Sequence, residues 1–282
     1  MSFGEVPEPV VMGILNVTPD SFSDAGRHLD ADAAVEHGRR LAAEGAAIVD
    51  VGGESTRPGA DPVTAAEELE RTIPVVERLA SGRDTGPAGL RVSIDTTKAE
   101  VAAAALQTGA RVVNDVSAFR FEPEIAGLVA GAGATCVLMH MQGEPRTMQQ
   151  DPRYDDVVSE VKSFLEQRLA FAVAEGVAEE HVWLDPGIGF GKTADHNLEL
   201  LARLDELAAI GRPLVVGTSR KSLLDRLTGR ELDDRLPGTI ATNVLALARG
   251  ARVFRVHDVA EVADALTVAR AALTGRAPGA AA

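Results

Sequence analysis

The sequence predicts a single closed (β/α)8 barrel, and three observations predict it. Eight short apolar, β-branched runs alternate with longer Ala-, Leu- and Glu-rich segments, the alternation of repeated βαβ units. The short runs are nearly continuously apolar, as parallel strands covered by helices must be. The chain has 282 residues, close to the roughly 250 that eight such units occupy in a barrel. A doubly wound open sheet is the alternative arrangement of the same units; eight units in this length favour closure.

The units follow in order. Residues 1–9 form an N-terminal extension. The first strand occupies 10–17 and is followed by a helix over 31–44; the second occupies 47–52, with a helix over 64–80. A Gly/Pro-rich loop at 81–89 leads to the third strand, 90–94, and a helix over 98–108. The fourth and fifth strands, 111–116 and 135–139, precede helices over 122–132 and 154–175. The sixth, 181–184, leads into a helix over 194–210. After the seventh, 213–217, a helical stretch over 221–249 is broken near 229–237 by Gly229 and Pro237. The eighth strand, 252–256, and a helix over 258–274 complete the barrel domain, 10–274, and 275–282 reads as a flexible tail.

Composition limits the function classes. Hydrophobic residues make up 45% and charged residues 25%, which excludes a disordered or fibrous chain. Lysine plus arginine total 28 against 42 acidic residues, a formal charge of -14, so the footprint of a nucleic-acid binder is missing. An anionic ligand must be held by local donors against the overall field. A lone cysteine, Cys136, cannot form an intramolecular disulfide. No apolar run reaches the roughly 18 residues of a membrane span. The first nine residues hold Glu5 and Glu8 with no Lys or Arg, unlike a signal peptide, so the expected location is the cytoplasm.

The polar residues mark one end of the barrel. Strand one ends in Asn16, strand two runs through Asp50 to Gly53 and Glu54, strand three ends in Asp95, strand four in Asn114 and Asp115, strand five in His140, strand six in Asp185 and strand seven in Ser219, Arg220 and Lys221; strand eight carries Arg255 and His257. Singly, each is an ordinary cap or turn residue. Together they ring the C-terminal mouth, where the active sites of barrels lie. Lys221 and Ser222 open a helix beside Arg220, an arrangement suited to an anion. Arg255 and His257 alternate on strand eight, so they face one side, at the usual phosphate position of the fold. Asn16, Asp20 and Asp24 are hard oxygen donors suited to a Mg²⁺ already carried by a diphosphate. No His/Cys cluster offers a zinc site, and no nucleophile elbow is present. The Gly-rich segment 187–193 lacks the spacing of a phosphate loop.

In its motifs the chain resembles the dihydropteroate synthase family, the folate-pathway TIM-barrel enzymes targeted by sulfonamides. The segments carrying the resemblance are 12–24 (MGILNVTPDSFSD), 50–59 (DVGGESTRPG), 93–96 (SIDT), Asn114-Asp115, 139–141 (MHM), 185–190 (DPGIGF), 219–222 (SRKS) and 255–258 (RVHD). They run in the family's order with no substitution at a motif position. The resemblance implies transfer of the pterinylmethyl group from (7,8-dihydropterin-6-yl)methyl diphosphate to 4-aminobenzoate, with release of diphosphate, Mg²⁺ as cofactor and a homodimer. It places the pterin on Asp95, Asn114, Asp185 and Lys221, and the diphosphate on Arg255, His257 and, through Mg²⁺, Asn16. Two loops close over the site in this picture. Phe22, Thr56, Arg57, Pro58 and Phe190 then line the aminobenzoate pocket, and Ser222 holds its carboxylate. The chemistry suits the residues: an aromatic amine is neutral at pH 7 and needs no general base, so the task is stabilising the leaving anion and the developing pterin cation. A pterin-dependent methyltransferase barrel shares the pterin aspartates but needs no diphosphate site. A non-catalytic pterin-binding paralogue is the other alternative.

Overall fold

The computed structural model describes residues 6–17, 27–55, 61–81 and 89–277. Among these, eight parallel strands alternate with ten helices: β1 Val10–Asn16, α1 Arg27–Ala43, β2 Ile48–Gly52, α2 Ala65–Ala80, β3 Arg91–Asp95, α3 Ala99–Thr108, β4 Val112–Asp115, α4 Ile125–Ala132, β5 Thr135–Met139, α5 Val157–Ala174, β6 Val182–Asp185, α6 Ala194–Ala202, α7 Leu204–Ala208, β7 Val215–Val216, α8 Ser222–Thr228, α9 Leu236–Ala248, β8 Val253–Val256 and α10 Val259–Thr274. The sheet runs β6-β5-β4-β3-β2-β1-β8-β7. A single parallel bridge between Leu184 and Leu214 joins its two ends, so the barrel closes as the alternation predicts.

Side-chain alternation along the strands builds two cores. Residues of one parity, among them Leu15, Val49, Val51, Ile94, Val113, Leu138 and Phe254, pack outward under the helices. Residues of the other parity, Met12, Ile48, Val112, Val137, Trp183, Val215 and Val253, fill the barrel interior as an apolar plug. The Arg91 guanidinium lies 5.5 Å from the Trp183 ring centroid, a cation–π contact at the same interior level. Two residues further along those inward-facing positions, the plug gives way to Asp50 after Ile48, Asn114 after Val112, Asp185 after Trp183 and Arg255 after Val253. A strand repeats its facing every second residue, so one pleat separates the apolar floor from the polar layer at the mouth.

Two elements differ from the sequence reading. The helix expected over 194–210 divides at Arg203, whose φ of -114° and ψ of 25° leave the helical region. There its guanidinium is shared by Glu199, Glu206 and Asp156. The seventh strand shrinks to Val215–Val216, because Pro213 has no N–H to donate and joins the ladder only through its carbonyl, which accepts from Leu184 N at 3.0 Å. The stretch 221–249 is interrupted as expected: the seven-residue α8 ends at Gly229 and α9 starts with Pro237 in its first turn.

Candidate active site

The polar layer is organised around Arg255. Its Nε donates to Asp50 Oδ2 at 2.6 Å and its Nη2 to Asp95 Oδ2 at 2.6 Å. Asn114 Nδ2 donates to the same Asp50 oxygen at 3.0 Å. Burial disfavours the charged guanidinium, but Asp50 and Asp95 outweigh it and hold Arg255 above its ordinary value. Burial and the neighbouring Asp50 push the Asp95 carboxyl up, against the pull of Arg255. Side-chain exposures of 22% for Arg255, 11% for Asp95 and 0% for Asp50 divide the layer. Arg255 and Asp95 reach solvent at the mouth, whereas Asp50 lies sealed beneath them.

The wall formed by β6 and the segment after it carries the second half. Asp185, 6% exposed, spends Oδ1 on the backbone N–H of Gly187 at 2.7 Å and keeps Oδ2 available. Burial raises its pKa while Lys221 opposes the rise. Lys221 donates to the Ile188 carbonyl, and its Nζ stands 4.7 Å from the Phe190 ring centroid. Burial pushes the Lys221 ammonium down to about 8, with Asp185 opposing, so it remains charged at pH 7. The fields of Asp185, Lys221 and Arg255 overlap, which makes the two halves one electrostatic unit.

The turn after β6 is held by side chains from below. Lys192 Nζ, buried, meets His140 Nδ1 at 2.9 Å, the Gly187 carbonyl at 3.0 Å and the Phe190 carbonyl at 2.9 Å. Tyr154 donates to the Gly191 carbonyl at 2.7 Å. Burial pushes Lys192 well below its ordinary value, and burial followed by the nearby Lys192 charge takes His140 down to about 2. His140 is therefore a neutral acceptor within this clamp.

On the β7–β8 side, Ser219 Oγ lies 3.0 Å from His257 Nδ1 and accepts from the His257 backbone N–H at 3.1 Å, fixing that imidazole at the rim. Arg220 departs from the sequence reading of a cationic helix start. At φ 57° it turns away and pairs with Asp258 through Nε at 3.1 Å and Nη2 at 2.5 Å, so its charge belongs to the fold. Ser222 is exposed at the first position of the short α8. Asn16 ends β1 in register with Gly52, which pairs in turn with Asp95, and so lies on the same rim. Asp115 is spent on the backbone N–H groups of Ser117 at 2.6 Å and Phe119 at 2.8 Å, a turn cap rather than part of the layer.

Phe22, Thr56, Arg57 and Pro58, with Asp20 and Asp24, lie outside the described residues. The described ends of the segment after β2 are fastened. Glu54 accepts from Val63 N at 3.2 Å and pairs with Lys98, which also holds the buried Glu68 at 2.5 Å. Among the described residues, no three His, Cys, Asp or Glu side chains group as metal ligands. Among the site supports, Lys192 escaped sequence reasoning, and Asp50, though placed at the mouth, was given no role by it. Asp50 was within reach of it, because it has the same strand parity as Asn114 and Arg255; Lys192 carries no pattern that announces its partners.

A family model described as pterin binding enzyme matches residues 12–257. The chain is 45% identical to the dihydropteroate synthase of Escherichia coli K12 over 96% of this chain and 94% of that one. Its structure superposes on Xanthomonas albilineans dihydropteroate synthase with 4-aminobenzoic acid at TM-score 0.86 and 48% identity, covering 95% and 94% of the two chains. The complex of the Xanthomonas albilineans enzyme with 7,8-dihydropteroate gives TM-score 0.83 and 46% identity, covering 95% of each. With these likenesses spanning nearly its whole length, the chain belongs to the dihydropteroate synthase family of pterin-binding enzymes.

Proposed function

We propose that this barrel transfers the pterinylmethyl group of (7,8-dihydropterin-6-yl)methyl diphosphate to 4-aminobenzoate, giving 7,8-dihydropteroate and diphosphate. The observation that carries the reading is the mixed-charge layer one pleat above the apolar plug, with Asp95 and Asp185 as acceptors and Arg255 and Lys221 as cations. Asp185 Oδ2 and Asp95 accept from the guanidine-like edge of the pterin, a charge-assisted arrangement like that of Arg with a carboxylate. Asn114 adds a neutral hydrogen-bonding group beside them. Lys221 and Phe190 cover the ring.

The chemical difficulty is carbon–oxygen cleavage. Charge leaves on the diphosphate while positive charge develops on the pterinylmethyl carbon, and preorganised groups stabilise both. Of the five N–H groups of a guanidinium, Arg255 spends two on Asp50 and Asp95. The remainder, with His257, receive the diphosphate; Asp95 faces the developing cation. The amine of 4-aminobenzoate attacks as the neutral species and loses its proton afterwards to solvent. We assign Phe22, Thr56, Arg57 and Phe190 to the aminobenzoate pocket and Ser222 to its carboxylate. Asn16 contributes one neutral oxygen on the rim, a donor that fits a Mg²⁺ arriving on the diphosphate with most of its waters retained. Such an ion, when bound, neutralises charge on the leaving group.

The homodimer is supported by Leu227, Leu232 and Leu245, exposed by 53%, 43% and 42% around α8 and α9. Diphosphate release from the pterin substrate tests the function: release should require 4-aminobenzoate and increase with Mg²⁺. Pterin binding without any release identifies a non-catalytic paralogue instead. Sedimentation of the same preparation at assay concentration should give a dimer, and a monomer there removes the dimer assignment.

A further inference from the structure

We propose that Asp50 is a positioning residue that sets the hydrogen-bond polarity of the pocket, by turning the amide of Asn114 and the guanidinium of Arg255 toward the ligand. The inference rests on the pterin-binding role proposed above and deepens it.

Three observations lead there. Asp50 is fully buried, so it acts on a ligand only through other residues. Its single engaged oxygen, Oδ2, accepts from Arg255 Nε and Asn114 Nδ2 at 2.6 and 3.0 Å. Its Oδ1, like Oγ of its register neighbour Ser93, has no hydrogen bond at all. Two strand-end aspartates behave differently: both oxygens of Asp115 and one of Asp185 hold backbone N–H groups, so those side chains maintain turns, whereas Asp95, like Asp50, pairs with Arg255. Asp50 maintains no turn. A buried charge costs free energy unless it is paired, and the partners of this one are two residues of the site.

The chemistry of a carboxylate then fixes the outcome. An ionised carboxylate only accepts, whereas an amide has one accepting and one donating end. Facing Asp50, Asn114 must present Nδ2 downward, which leaves Oδ1 on the opposite side as an acceptor for the N–H-rich pterin edge. Arg255 is held through Nε in the same way, with its outer N–H groups free for Asp95 and the diphosphate. Without Asp50 the amide can turn over and offer the ligand a donor where the ligand also donates.

An exchange of the two side chains tests this. Asp50→Asn gives two amides able to pair in either sense, and Asn114→Asp sets two carboxylates against each other. Each should weaken binding of 6-hydroxymethyl-7,8-dihydropterin, measured by calorimetry, by tenfold or more. In the double variant Asp50→Asn/Asn114→Asp, the amide at position 50 donates to the carboxylate at 114, whose other oxygen faces the ligand. Its affinity should return to within about threefold of wild type. Inorganic diphosphate, titrated separately, reads Arg255 and should weaken with Asp50→Asn. A purely structural role predicts that the two losses multiply. A double variant as weak as Asn114→Asp, or weaker, overturns the proposal, and this comparison stands even if Asp50→Asn alone does not fold. Wild-type protein that fails to bind the pterin overturns the proposed function itself, a result seen before any substitution is made.

Discussion

Gly187, directly behind the Asp185-Pro186 pair, is the position at which a single methyl group should do most damage. Its φ is +66°, and a Cβ placed there would lie 1.9 Å from the His140 carbonyl oxygen. Two costs combine in Gly187→Ala. The left-handed backbone costs an L-residue about 1–2 kcal/mol. Relieving the clash requires the two backbones to separate by an ångström or more, an overpacking cost of roughly 1–3 kcal/mol. Separation also strains two existing bonds, Gly187 N to Asp185 Oδ1 at 2.7 Å and His140 N to Asp185 O at 2.9 Å. The expected loss is about 2–5 kcal/mol, read as a lower urea midpoint by circular dichroism and as a melting temperature lowered by roughly 2–4 °C per kcal/mol. Gly229 supplies the control. Its φ is +67° with nothing within 4 Å of an added Cβ, so Gly229→Ala should lose only the backbone share, about 1–2 kcal/mol. If the two variants agree within 1 kcal/mol, the clash is absent and the reasoning about this turn is wrong.

Two further outcomes follow from the site. Asp185→Asn removes a charged acceptor, and hydrogen bonds to charged groups contribute about 1.5–3 kcal/mol; the pterin dissociation constant should rise tenfold or more, and an unchanged constant in a folded variant removes Asp185 from the pterin edge. His140, held neutral down to about pH 2 in the fold against an ordinary 6.5, makes the unfolded chain bind one more proton than the native one below pH 6.5. Stability should therefore fall with falling pH through that value, by up to about 1.4 kcal/mol per unit from this residue, and His140→Asn should flatten the dependence of urea unfolding between pH 6.5 and 4.5; identical slopes would refute it.

The strand parity of the barrel was open to reading from the sequence. Ile48 and Asp50, Val112 and Asn114, Trp183 and Asp185, Val253 and Arg255 each step from floor to site by two residues, a spacing that follows from the pleat alone. The same rule separates Asn114, facing in, from Asp115, which caps a turn. What the sequence does not carry is pairing across the mouth. That Arg220 turns to Asp258 depends on one left-handed residue. That Arg255 rests on Asp50, 205 positions away, depends on closure of the whole barrel. The break at Arg203 has no Gly or Pro to announce it; it coincides with a guanidinium shared by three carboxylates on two segments.

The seam between β6 and β7 gives the site a mechanical meaning. Among the described residues, a single bridge at Leu184 and Leu214 ties these strands, while β1 and β2 are matched over five positions. Asp185 stands immediately beyond that bridge on one lip, and Lys221 follows β7 on the other, reaching across to the Ile188 carbonyl. A pterin held as proposed, with Asp185 on its edge and Lys221 over its ring, would add polar contacts across a seam that has a single ladder bridge. The joint is closed already by the Leu184 N–H on the Pro213 carbonyl and by Leu184, Leu214 and Val216 in the buried core, so a ligand there would brace the barrel at its most thinly laddered contact.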